Sequence, residues 1–338
     1  MNILLIQLKR IGDLILTTPA IAAVREKLPR ADITLIISSD ARELLPAIRG
    51  IDRTFIARKK IADARNWLTV ARRNYDYCFD FTRSDRSAFL TLLSAAKKRV
   101  VADHPRFRKQ LRSKTYNVLV DNPIGVMHTI DYHLALLQPL GISDASTELQ
   151  LHLPPEAITE ADGALATAQV HGEFIVLHPG SARAEKFWEP QRWAELVRFA
   201  AARELTCVIT GSHSPVEQAQ IAEIAKRTRE RFIDLSGRVG LLGLAAIIRR
   251  ARLLVSVDSA PVHLAAAMRT PQVALFGPTN PYHWRPRATP AVVLHAGQAA
   301  PTLNFSPKAP AAAVKLISTE QVIDAMEALL ATPRGAIV

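Results

Sequence analysis

Short apolar runs alternate along this chain with stretches in which apolar residues recur every three or four positions, the pattern of strands alternating with helices. Strands are predicted at 3–8, 33–37, 54–57 and 77–81, with helices from Thr18-Pro19 to Pro29, at 61–73 and at 84–95. A tight turn is predicted at Gly12-Asp13. A helix over 128–140 places Tyr132, Leu136 and Leu140 at four-residue spacing and is closed by Gly141. Residues 142–173, with Pro154-Pro155 and a weakly patterned Ala/Thr/Glu-rich helix, read as a connection between domains.

The alternation then restarts, with strands at 174–178, 206–210, 232–235 and 253–257 and helices at 191–202, 216–226 and 241–250. The stretch 253–278 is the most telling. Its apolar strand breaks at Asp258-Ser259, Pro261 suits the first turn of a helix through Met268, and a second strand (Val273 to Phe276) ends at Gly277-Pro278. Residues 297–313 read as a loop and 319–330 as a last helix, which in a two-lobed chain can pack back on the first lobe. These elements predict an α/β protein of two Rossmann-like, doubly wound domains facing a cleft, 1–155 and 156–338.

A length of 338 residues suits two cores, and 49% hydrophobic residues make the chain globular. Gln7, Lys9, Arg10 and Asp13 interrupt the apolar N-terminus, which reads as strand and helix and not as a signal peptide. No stretch approaches the ~18 apolar residues of a membrane span. Cys78 and Cys207 sit in apolar runs and read as buried thiols of a reducing compartment, so the expected location is the cytoplasm. Of the net charge of +12, residues 1–150 carry +9, from 24 basic and 15 acidic residues. Residues 97–114 hold eight Lys/Arg, among them Arg106, Arg108 and Lys109, against Asp103. That run is either a solvated face or a contact for an anionic ligand.

Four strand ends carry candidate chemistry. Gly12-Asp13 offers either a helix-capping turn carboxylate or a general base facing the cleft. In HPGSARAEKFW, Gly180 and Ser181 can bring donors close to a phosphate, and Lys186 adds a point charge. Thr210-Gly211-Ser212-His213 precedes Glu217, read as a partner for a sugar hydroxyl or as an exposed helix carboxylate. Asp258, Ser259, Ala260 and His263 form the fourth. No G-x-S-x-G surrounds Ser259, no metal-ligand spacing occurs, and no G-x-G-x-x-G follows the first strand. A hydrolase triad, a metal site and a dinucleotide oxidoreductase are therefore disfavoured. A basic nucleic-acid-binding protein has only the overall charge in its favour, without stacking aromatics or a binding motif.

Taken together, GDLILTTPAI, HPGSARAEKFW and VDSAPVHLAAAMRTPQVALFGPTNP resemble the ADP-heptose:lipopolysaccharide heptosyltransferases, glycosyltransferase family 9. DSAPVHLAAA, Trp284-Arg285-Pro286 and DYHLALLQPLG look most similar to the third, Q-type, inner-core enzymes. The resemblance implies a GT-B fold, with the acceptor on the N-terminal domain and the nucleotide sugar on the C-terminal one. It implies inverting transfer of heptose from ADP-heptose to the lipopolysaccharide inner core without an essential metal. Asp13 then matches the catalytic base, Ser181 and Lys186 the diphosphate contacts, and Asp258, Ser259, Ala260 and His263 the donor loop. Glu217 matches the nucleotide-side carboxylate loosely, and Ser259-Ala260 departs from the Thr/Ser-Gly common in the family. Gly12, Arg106, Arg108 and Lys109 would serve the acceptor, with a possible peripheral contact at the inner membrane and no nucleic-acid partner. The alternative within enzymes is an ADP-sugar transferase acting on a protein or an outer-core sugar.

Overall fold

A computed structural model of the protein describes residues 1–58, 64–298, 301–302 and 304–331. The chain divides into two compact units, Met1–His152 and Leu153–Val338. In the first, β1 (Asn2–Gln7), β2 (Asp32–Ser38), β3 (Arg53–Ala57), β4 (Tyr77–Asp80), β5 (Lys98–Ala102) and β6 (Val118–Val120) form one parallel sheet ordered β3-β2-β1-β4-β5-β6. Ile3 is paired with Ile33 on one side and Tyr77 on the other, so β1 is buried on both faces. Its unbroken apolar run follows from that position.

The second unit repeats the plan with β7 (Phe174–His178), β8 (Thr206–Ile209), β9 (Ile233–Asp234), β10 (Leu253–Val257), β11 (Gln272–Phe276) and β12 (Ala291–His295). Its order, β12-β11-β10-β7-β8-β9, is the same topology read from the other edge. In each unit the strand order reverses between the first and fourth strands, where open sheets of this kind bind ligands at their carboxyl ends. Trp188 and Trp193 pack edge to face at 5.3 Å in the second core, and the Trp188 Nε1–H donates to Ile317 O at 2.9 Å.

Several expectations are corrected. β5, β6 and β12 lie where no strand was predicted; basic residues hide the apolar pattern of β5 and a length of three residues that of β6. The helix expected over 128–140 stops at Ala135 and continues as a tighter 3-10 turn, Gln138–Leu140, because Pro139 has no N–H for an α-helical bond. The helix in the expected connection, Pro155–Thr167, is part of the second unit: Ala157, Ala161 and Leu165 are buried, and Glu160 caps the neighbouring helix through Gly240 N–H at 2.8 Å. The final helix, Thr319–Ala331, sends Val322, Ala325, Met326 and Leu329 into the second unit's own core. The helix expected over 61–73 is observed as Ala64–Ala71, and residues 61–63 lie outside the described residues, as do 299, 300 and 303 of the expected loop. Cys78 and Cys207 are buried free thiols, and burial raises the pKa of both. Among the described residues no helix is long and apolar enough to cross a membrane.

Candidate functional site

The second unit assembles most of the singled-out residues around its strand-order reversal. β7 and β10 are neighbours, with His178 opposite Ser256, so the loops that follow them leave the sheet side by side. His178 is buried, its Nδ1 2.9 Å from Thr210 Oγ1, and burial lowers its pKa. The neutral imidazole ties the end of β7 to that of β8. Next comes Gly180, where a Cβ would stand 2.4 Å from Glu217 Oε2. Only a glycine lets that carboxylate lie across the β7 loop. Glu217 is 7% exposed and accepts from Ser212 N–H at 2.7 Å. It is thus not the solvated helix carboxylate that its position early in Pro215–Ala225 also allowed.

Lys186 closes the loop on the neighbouring strand. Its Nζ donates to Asp258 O at 3.0 Å and forms an ion pair with the Asp258 carboxylate, with the two side chains 11% and 7% exposed. An ammonium has three N–H donors, and Asp258 occupies two of them. The third remains for an anion. Ser181 is half-buried, and its Oγ accepts from Arg183 N–H at 3.3 Å.

Beyond Asp258, Ser259 is the extended N-cap of helix Ala260–Met268, but its hydroxyl turns back to Val257 O at 3.2 Å and leaves the helix start without a side-chain cap. Pro261 has no N–H and that of Val262 donates to Ser259 O at 3.1 Å, so the Ala260 N–H and the positive dipole end are what suit a phosphate. The small side chain of Ala260 keeps that backbone approachable. His263 lies one turn further on and is buried. The helix Leu241–Arg250 differs, because Glu160 already occupies Gly240 N–H.

In the first unit the expected turn at Gly12-Asp13 is instead helix, Ile11–Ile15, which buries Leu14 and Ile15. The following helix, Thr18–Lys27, has Thr17 and not Thr18 at its N-cap position, and no side chain caps it. Thr17 has near-helical backbone angles and serves as a buried polar node: its hydroxyl donates to Asp13 O at 2.7 Å and accepts from Gln7 Nε2 at 2.9 Å. His133 Nδ1 stands 3.2 Å from both Thr17 Oγ1 and Leu16 O. This network pins the backbone under Asp13 and leaves its half-buried carboxylate unpaired among the described residues. Gln7, a polar residue ending an apolar strand, was the visible sign of the network, whereas Thr17 and His133 carried none.

Burial, and secondarily the nearby Lys9 ammonium, push the His133 pKa down to about 3 from 6.5. The unfolded chain therefore takes up this proton first, and stability present above pH 6.5 is lost as pH falls towards 3, by up to about 1.4 kcal/mol per pH unit. Thermal melts of His133→Asn are expected to fall less steeply across that window than those of the parent. An unchanged slope would remove His133 as the source.

The basic run 97–114 is not one patch. Lys98–Ala102 is strand β5, Lys97 pairs with Asp76, and the Arg99 guanidinium donates to Ala96 O at 2.9 Å. Arg108 is held by Asp103 and Arg112 by Asp85. Arg106 and Lys109 are exposed, with side chains unpaired among the described residues. Among the described residues no three His, Cys, Asp or Glu side chains are grouped to hold a metal ion.

The sequence pattern of glycosyltransferase family 9 (heptosyltransferase) matches residues 64–311. Lipopolysaccharide heptosyltransferase 3 of Escherichia coli K12 is 28% identical over 335 residues, covering 94% of this chain and 95% of its own. A glycosyl transferase family 9 structure from Veillonella parvula superposes with a TM-score of 0.83 at 24% identity, covering 97% of both chains. The E. coli ADP-heptose lps heptosyltransferase II structure gives 0.76 at 19% identity, covering 98% of both. These structures share the fold: two Rossmann-like domains, as the strand pattern predicts, in the GT-B type that the resemblance implies. With the family pattern running through both units, the chain belongs to glycosyltransferase family 9, the heptosyltransferases.

Proposed function

We propose that this protein transfers heptose from ADP-heptose to a hydroxyl of the lipopolysaccharide inner core, with inversion at the anomeric carbon. The observation that carries the donor half is the Lys186–Asp258 pair beside an uncapped helix start at the strand-order reversal. In this reading the ADP diphosphate lies across that loop pair. Lys186 supplies its third N–H, Ser181 its hydroxyl, and Ser259-Ala260 their backbone N–H groups. Glu217 meets a ribose hydroxyl, and Asp258 and His263 hold the sugar and the phosphates. The similarity to lipopolysaccharide heptosyltransferase 3 over almost the whole chain supports a lipopolysaccharide acceptor.

The reaction is a single displacement. The acceptor oxygen bonds to the anomeric carbon while that carbon's bond to the β-phosphate oxygen breaks, and ADP leaves with the electron pair. Preorganised donors at the phosphate stabilise the charge as it develops, and no metal is required for this step. On the first unit, Gly12 and Asp13 face the acceptor. The unpaired Asp13 carboxylate takes the proton of the attacking hydroxyl as the anomeric carbon gains oxocarbenium character. Arg106 and Lys109 add positive charge for a phosphorylated, carboxylated acceptor, whereas the charge of Arg108 is matched by Asp103.

Incubating the purified chain with ADP-heptose and a defined inner-core oligosaccharide tests the proposal. ADP release that depends on the acceptor, with one heptose added by mass spectrometry, is the expected result. Heptose transfer to a protein or outer-core acceptor, with the inner-core oligosaccharide untouched, would replace the acceptor assignment.

A further inference from the structure

The carboxyl end of the first sheet holds two cations that no carboxylate among the described residues balances. β1 and β4 are neighbours at the strand-order reversal, and the loops that follow them are tied together. Phe81 N–H donates to Ile6 O at 3.0 Å, and Leu8 N–H donates to Thr82 Oγ1 at 2.7 Å. The first loop carries Lys9, four residues before Asp13, and the second carries Arg83. Asp80, fully buried at the end of β4, fixes the second loop. One of its oxygens accepts from Thr82 N–H at 2.8 Å and from Arg83 N–H at 2.9 Å, and the other accepts from the Tyr116 hydroxyl. Held this way, Arg83 sits in the left-handed region at φ +56°, which a non-glycine residue seldom adopts.

The two side chains converge on one helix. Lys9 lies close enough to His133 for its charge to act on the imidazole, and Arg83 close enough to Tyr132 for its charge to act on the phenol. Tyr132 and His133 are adjacent on helix Thr129–Ala135, with ring centroids 5.7 Å apart, and His133 underlies Asp13 through Thr17. Lys9 is half-buried and its ammonium is unpaired among the described residues. Arg83 is half-buried too, and its Nη1 is fully buried with no hydrogen-bond partner among the described residues. A guanidinium N–H withdrawn from water and left unbonded is costly, so its place in a folded protein calls for a ligand. The nearby acids Asp80 and Asp85 are engaged, Asp85 by Arg112. Ser84 and Ser87 already close the start of helix Asp85–Leu93 with a capping box, so the free donor is the guanidinium and not the helix. An oxyanion between the two would meet a point charge from Lys9 and a fork of N–H groups from Arg83.

We propose that Lys9 and Arg83 clamp an oxyanion carried by the acceptor, a phosphate or a carboxylate, and so set the acceptor's reacting hydroxyl against Asp13. The inference rests on the proposed function in one respect, that the sugar presented to the first unit is the acceptor. A neutral sugar would leave both cations unmatched.

Calorimetric titration of the full chain with a defined inner-core oligosaccharide, without donor, reads the clamp independently of turnover. Arg83→Gln and Lys9→Gln are each expected to weaken binding about ten- to hundredfold, the loss of a charge-assisted hydrogen bond. Affinity for ADP and the melting temperature should stay near the parent's, since neither side chain has an ionic partner among the described residues. Arg83→Lys, which keeps the charge and loses the fork, should fall between Arg83→Gln and the parent. In turnover the loss should appear in KM for the oligosaccharide and hardly in kcat. Once the oligosaccharide is dephosphorylated and its carboxylates are reduced, the parent should bind it as weakly as Arg83→Gln does, and the substitution should cost nothing more. Removing the phosphates alone, or the carboxylates alone, then assigns the oxyanion. Folded Arg83→Gln and Lys9→Gln variants that bind the native oligosaccharide as the parent does would overturn the proposal. So would a penalty that persists in full on the stripped oligosaccharide. A parent that binds the oligosaccharide through Arg83 yet transfers no heptose to it would refute the proposed function and leave the clamp standing.

Discussion

Asp13→Ala is expected to lower turnover about 10²–10⁴-fold, the usual loss on removing a general base. The affinity for ADP-heptose should stay nearly intact, because the groups proposed to hold the donor all belong to the second unit and Asp13 to the first. Stability should also change little. The buried network under this helix holds the Asp13 carbonyl oxygen through Thr17, and not the carboxylate. Removing the side chain therefore strands no buried partner, and the lost favourable charge in the first helical turn is worth about 0.3–1 kcal/mol. Asp13→Asn, which keeps the shape but accepts no proton, should be nearly as slow. Steady-state turnover, a calorimetric titration with ADP-heptose and a thermal melt together separate the effects. Near-parental turnover in Asp13→Ala would sink the assignment, whereas a slow enzyme that also melted early would point to a structural role.

The second large effect concerns Lys186. Its removal strips one cation from the proposed diphosphate site and also leaves the buried Asp258 carboxylate uncompensated. Breaking a buried pair by deleting one partner costs roughly 3–5 kcal/mol of stability. A charge-assisted hydrogen bond to phosphate is worth about 1.5–3 kcal/mol, so affinity for ADP should fall about ten- to hundredfold. Lys186→Ala alone mixes these two losses. Lys186→Met combined with Asp258→Asn places two neutral side chains of similar size in the pocket. It is expected to regain most of the melting temperature and none of the lysine's share of ADP affinity. Thermal denaturation and ADP titration of both variants make the check. If folded Lys186→Ala bound ADP like the parent, the lysine would lie outside the site. If the double variant recovered both properties, its role would be purely structural.

The elements most legible in the sequence are those whose burial is complete. β7 and β10 are enclosed on both sides, so each reads as an apolar run with the observed ends, interrupted only by Ser256 in β10 and closed by His178 in β7. β5 begins with Lys98 and Arg99 and was hidden inside a basic segment, since charge at an exposed strand entrance masks a core-facing Val-Val-Ala. Residues 11–15 misled for a different reason. Glycine followed by aspartate is locally a turn signal, but burying Leu14 and Ile15 under the first sheet outweighs it and winds the segment into helix.

The sequence by itself determined the α/β alternation, the two-part chain and the small set of strand-end residues worth testing. All of these depend on local periodicity and on residue types that only a few backbone positions tolerate. Only the tertiary structure decided that Lys186 is paired with Asp258, that Glu217 lies against Gly180, and that Thr17 and His133 underlie Asp13. Each of these contacts joins residues far apart in the chain, up to 116 positions for Thr17 and His133. They exist because parallel strands bring distant loops to one end of a sheet, where burial and partner geometry settle which charges meet.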